Sequence, residues 1–92
     1  MEMTRNEQFE RNLAFFTEFN LFLLEHPEYE DQIPDQVVIV YLPDNDPELR
    51  EANRIVAEKR RRDGEQVLIV RTGPLELFRL GKAEPTLELV AA

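Results

Sequence analysis

Two short apolar runs, Val37-Val38-Ile39-Val40-Tyr41-Leu42 and Val67-Leu68-Ile69-Val70, set the tightest limit on what this chain folds into. Neither run alternates. Strands that are apolar at every position are covered on both faces, and such strands pair in parallel through a connecting helix. The intervening segment is built as that helix. Asp46 accepts from open amides of the first turn, and Pro47 lacks only a donor that would be unpaired there. Glu48 and Glu51 lie near the start, and Lys59, Arg60, Arg61 and Arg62 near the end, opposite in sign to the helix dipole. Gly64 suits the left-handed position after the last turn. Leu49, Ala52, Asn53, Ile55 and Val56 are the expected inward face. The fold class predicted is α/β, with a parallel β-α-β unit over residues 37–71.

An aromatic-rich helix precedes this unit. Thr4-Arg5-Asn6-Glu7 has capping-box spacing, and Pro27 stops the helix near Glu25 or His26. Phe9, Leu13, Phe16, Asn20 and Leu23 recur at three- and four-residue steps, and Phe15, Phe19 and Phe22 widen the stripe. Four of the six phenylalanines fall between residues 15 and 22. Such a helix packs on something broad and flat, either the sheet or a second copy of itself. Phe15, Phe16, Phe19, Asn20 and Phe22, with Asn53 on the second helix, are therefore the candidate interface residues. Tyr29 and Ile33 are spaced for one short helical turn. Beyond Gly73-Pro74, Leu75, Leu77 and either Phe78 or Leu80 predict a third strand. Thr86 to Val90 predicts a fourth, and the two together form a β-hairpin-like C-terminal extension.

Size and charge narrow the function classes. A chain of 92 residues predicts one domain, burying roughly 60–65% of its unfolded surface. With no cysteine there is no disulfide or thiolate metal site to reinforce so small a core. Self-association is the remaining simple means, and a homo-oligomer, most simply a dimer, is expected. No stretch reaches the length of a bilayer span, and residues 1–7 lack a signal peptide's layout, so a cytoplasmic protein without membrane contact is expected. Net charge is −8, with twelve acids and two bases in residues 1–48 against seven acids and nine bases in residues 49–92. That balance argues against nucleic acid, whose affinity rests on neutralised phosphates. The Lys59–Arg62 cluster has no neighbouring aromatic platform and matches dipole complementation. A protein partner with a basic face is compatible with the acidic first half.

Chemistry-bearing residues gather at the expected C-terminal rim of the two strands, where open α/β sheets place ligands. Asp44, Asn45 and Asp46 follow the first strand; Arg71 and Thr72 follow the second. Asp44 and Asp46 could hold a divalent ion with Arg71 nearby, the layout of metal-assisted phosphoryl transfer or hydrolysis. The structural alternative makes Asp44 a turn former, Asp46 a helix cap and Arg71 an ion-pair partner. No cofactor is expected, since the loop has neither the glycines nor the lysine of a phosphate cradle. His26 is the only histidine, and serine and cysteine are absent. Without a nucleophile to serve, His26 reads as a helix C-terminal cap. Asn53 and Asn20 each interrupt an apolar stripe, and an amide there needs hydrogen-bond partners, within the chain or across an interface.

His26-Pro27-Glu28, Leu42-Pro43-Asp44-Asn45-Asp46-Pro47-Glu48-Leu49, Asn53 and the stretch from Gly64 to Arg71 together resemble a family of small, functionally uncharacterised bacterial and archaeal α/β proteins. The likeness spans about residues 9–71 and implies the fold, without any activity or catalytic role. The function expected is a non-catalytic protein-interaction or homo-oligomer-forming module. One alternative is a small divalent-metal-dependent enzyme using Asp44, Asp46 and Arg71. Another is an acidic, antitoxin-like regulatory partner of a basic protein.

Overall fold

The computed structural model of the chain describes residues 3–90. Met1, Glu2, Ala91 and Ala92 lie outside the described residues. In chain order the elements are α1 (Arg5–Glu25), α2 (Pro27–Glu30), β1 (Val38–Tyr41), α3 (Pro47–Arg62), β2 (Val67–Arg71), α4 (Leu75–Arg79) and β3 (Thr86–Val90). β1 and β2 run parallel, in register from Val38 opposite Val67 to Tyr41 opposite Val70. β3 pairs antiparallel with β2 on its other side, from Val67 opposite Val90 to Arg71 opposite Thr86. The sheet order is therefore β1-β2-β3, with the second apolar run in the centre.

Local chemistry sets the helix ends. Thr4 Oγ1 accepts from the Glu7 amide at 3.1 Å, and the Glu7 carboxylate accepts in return from the Thr4 amide. Asp46 Oδ1 accepts from the Leu49 amide at 3.1 Å and starts α3. Gly64 closes α3 at φ +85°, a conformation that a side chain would strain.

Two apolar layers form because successive strand residues point to opposite faces. Tyr41, Leu68 and Val70 meet Phe15 and Phe19 of α1 and Phe78 of α4. Val40, Leu42, Val67 and Ile69 meet Ala57 of α3 on the other face. The non-alternating strands are thus covered on both sides, which is why they are apolar at every position. Within the first layer the Phe15 and Tyr41 rings stack 3.9 Å apart at 3°.

Two expectations at the level of elements are corrected. Residues 75–79 form the helix α4, so the C-terminal extension is a helix followed by a single strand rather than a hairpin. Leu75, Glu76 and Leu77 alternate like a strand, yet Leu75 and Phe78 lie three apart and both pack on the α1 layer. Pro74 precedes them, and its carbonyl accepts from the amides of Leu77 and Phe78. On α3, the inward line is Leu49, Asn53 and Ala57, whereas Ile55 is exposed and Val56, 38% exposed, lies at the margin in a shallow cleft beside β1. The rotation follows from Asn53, whose side chain is held by the β1 backbone.

Candidate functional site

Asn53 is 3% exposed and makes four hydrogen bonds. Its Nδ2 donates to the Tyr41 carbonyl at 2.7 Å and to Asn12 Oδ1 at 2.7 Å. Its Oδ1 accepts from Gln8 Nε2 at 3.0 Å and Asn12 Nδ2 at 3.1 Å. Both donors and both lone pairs are used, so the buried amide carries no desolvation penalty left uncompensated. The Val38 amide bonds to Gln66 and the Leu42 amide to Val70, so even-numbered β1 residues face β2. Odd-numbered residues face the open edge, and Asn53 occupies the Tyr41 carbonyl there. A side chain from α3, locked by two from α1, thereby blunts an otherwise exposed strand edge. Asn53 is committed within the chain and is not presented to a partner.

At the C-terminal rim the predicted residues do not converge. Asp46 caps α3 and takes Arg11 Nη1 at 3.3 and 3.2 Å on its two oxygens. Arg11 also bonds Glu48 at 3.3 Å, tying α1 to the start of α3. Asp44 is exposed and contributes its backbone carbonyl to Arg50 at 3.1 Å. Asn45 is exposed beside a shallow cleft lined by Pro74, Leu75, Glu76 and Arg79. Arg71 extends across the sheet to Glu88 at 3.2 Å. Thr72 is buried, and its hydroxyl donates to the Gly73 carbonyl at 3.0 Å and lies 3.5 Å from the Tyr41 hydroxyl. Among the described residues no three His, Asp or Glu side chains come together as metal ligands would. Burial raises the Tyr41 pKa; the Thr72 contact lowers it in part, and the nearby Asp46 and Asp44 carboxylates raise it further.

The aromatic helix divides its apolar surface in two. Phe15 and Phe19 are 0% and 1% exposed, and Phe22 stacks on His26 and contacts Phe78, so these rings serve the fold. His26 ends α1 as a cap, its Nδ1 3.1 Å from the Phe22 carbonyl. The other half is open: Phe9 is 66%, Leu13 52% and Leu24 81% exposed, with Asn20 exposed between them and Phe16 half-buried at the border. Periodicity alone could not separate this half from the inward half. A second recess, about 300 Å³, lies at the far end of α1 between Phe22, Tyr29, Phe78, Glu25, Glu28 and Glu84. It is acidic, with Arg79 held by Glu18 at 3.0 Å on its wall.

No helix among the described residues is long and apolar enough to cross a membrane. No curated protein and no solved structure gives a match to the chain. The family resemblance reaches further than the β-α-β unit, from α1 through α4. Residues 7–80 match the model of a family of unknown function, DUF5647, and the chain belongs to that family.

Proposed function

We propose that this protein is a non-catalytic interaction module that works as a homo-oligomer, with the outward face of α1 as its contact surface. The observation that carries this reading is the open row of Phe9, Leu13 and Leu24 beside Asn20. Single exposed leucines are ordinary on a small domain, whereas several in line on one helix mark a surface meant to be covered. The rim acids support the reading indirectly, because Asp46 is already engaged as a cap and an ion-pair partner.

Light scattering over a concentration series tests it. The expected mass rises above that of one chain with concentration, and a Leu13→Glu/Leu24→Glu double variant stays at one chain with its helical circular dichroism intact. Both positions are exposed, so the variant tests association rather than folding. A mass of one chain at every concentration, unchanged by the substitutions, overturns the reading.

A further inference from the structure

We infer that two copies pair through α1 in parallel about a two-fold axis, with Asn6 and Asn20 each facing its own counterpart. This rests on the homo-oligomer reading above and adds the partner geometry. Asn6, Phe9, Leu13, Phe16, Asn20 and Leu23 follow alternating steps of three and four, a seam with the heptad spacing of paired helices. Asn6, Leu13 and Asn20 take one seam position, and Phe9, Phe16 and Leu23 the other. An amide in such a seam is satisfied when its twin lies opposite, and only a parallel, in-register pair supplies the twin at both ends.

The flanking charges favour the same register. In parallel pairs the residue just before one seam position meets the partner's residue five positions on. That rule sets Arg5 against the partner's Glu10, twice by symmetry. Among the described residues neither Arg5 nor Glu10 has an ion pair within its own chain. Asn12 and Phe19, one and two heptads on from Arg5 along the same flank, face α3 and the core, so Arg5 with the partner's Glu10 is the charged contact that this flank offers.

A seam of two heptads is too short to hold free peptides together. Here each α1 is already folded against its own sheet, so the entropy of forming the helix is not charged to association. Phenylalanine and leucine side chains present on the order of 150–200 Å² each, so the open parts of Phe9, Leu13 and Leu24 supply about 350 Å² per chain. Phe16, Leu23 and the polar flank extend this toward the roughly 800 Å² per partner of a standard interface. A reversible dimer in the micromolar range is the expected strength.

The chain has no cysteine, so single-cysteine variants report the register directly. Asn6→Cys and Asn20→Cys are made separately in the full chain, oxidised and run on non-reducing gels beside light scattering of the reduced proteins. The two positions are about 21 Å apart along the helix, and a disulfide requires α-carbons within about 7 Å. A parallel pair crosslinks at both positions; an antiparallel pair has one crossing point and crosslinks at one at most. Arg5→Glu is expected to weaken the dimer about three- to tenfold, and Arg5→Glu/Glu10→Arg to recover most of that loss. A dimer by scattering that crosslinks at only one position, or at neither, overturns the parallel register and leaves the homo-oligomer reading standing. A mass of one chain throughout overturns both.

Discussion

Asn53 shows how one polar residue can fix the relation of three elements. Its amide bonds simultaneously to the β1 backbone and to Asn12 and Gln8 of α1. Asn53→Ala leaves the Tyr41 carbonyl and the two α1 amides without their partner, so a loss of about 1–3 kcal/mol is expected in urea denaturation. A loss within a few tenths of a kcal/mol would mean that water replaces the side chain freely. Asp46 has two duties that substitution can separate. Asp46→Asn keeps the cap acceptor and loses only the attraction to Arg11, a pair about a third exposed on both sides and therefore weak. Asp46→Ala loses the cap as well and should cost about 1 kcal/mol more. Equal losses would place the stabilisation in the ion pair instead. Tyr41 and Tyr29 both have pKa values raised, first by burial and then by nearby carboxylates. A raised folded pKa favours the neutral phenol, so this contribution is complete below the unfolded value of about 10 and lost as pH climbs through the folded one. The tyrosinate absorbance of the native protein should therefore rise at higher pH than that of the urea-unfolded chain. Coincident titrations would contradict the burial.

Among the elements, α1 carries two apolar faces with different physical roles. Phe15 is sandwiched between Tyr41 and Phe19, at 3.9 and 5.2 Å between ring centres. Phe15→Ala should cost about 3–5 kcal/mol, as for other buried aromatics. Phe9→Ala removes a ring that is already two-thirds exposed and should change the stability of a single chain by about 0.5 kcal/mol or less. Thermal melts at dilute protein make the comparison, and similar losses at the two sites would show that α1 is not divided as described. The short helix α4 makes the complementary point about local sequence. Its alternating Leu75-Glu76-Leu77 satisfies a strand as well as a helix, and the contact of Phe78 with Phe22 decides between them.

For the molecule as a whole, stability should centre on β2. It is bonded on both edges, and Val67, Leu68, Ile69 and Val70 are all buried. Its amides are expected to be the slowest in hydrogen exchange. Leu87 and Leu89 should be among the fastest strand amides, because the register bonds their neighbours Thr86, Glu88 and Val90 to β2. Uniform protection across β2 and β3 would indicate that the outer edge of β3 is covered by another chain. Such a result would shift the contact surface from α1 to the sheet.

Much of this arrangement is already written locally. Capping groups at Thr4 and Asp46, the proline at the start of α3 and two fully apolar runs require only near neighbours and solvent exclusion. They determine α1, α3, β1, β2 and the parallel unit without reference to the rest of the chain. Three features depend on contacts distant in sequence. The rotation of α3 is set by the Asn53 bond to Tyr41, the helical state of residues 75–79 by Phe78 packing, and the division of α1 by which half packs on the sheet. The rim of Asp44, Asp46, Arg71 and Thr72 belongs with these. Strand ends bring its backbone together, but Arg11 and Glu88, which engage Asp46 and Arg71, come from elsewhere in the chain. Periodicity states that a helix face is apolar; only packing decides whether that face is consumed inside the fold or left for another molecule.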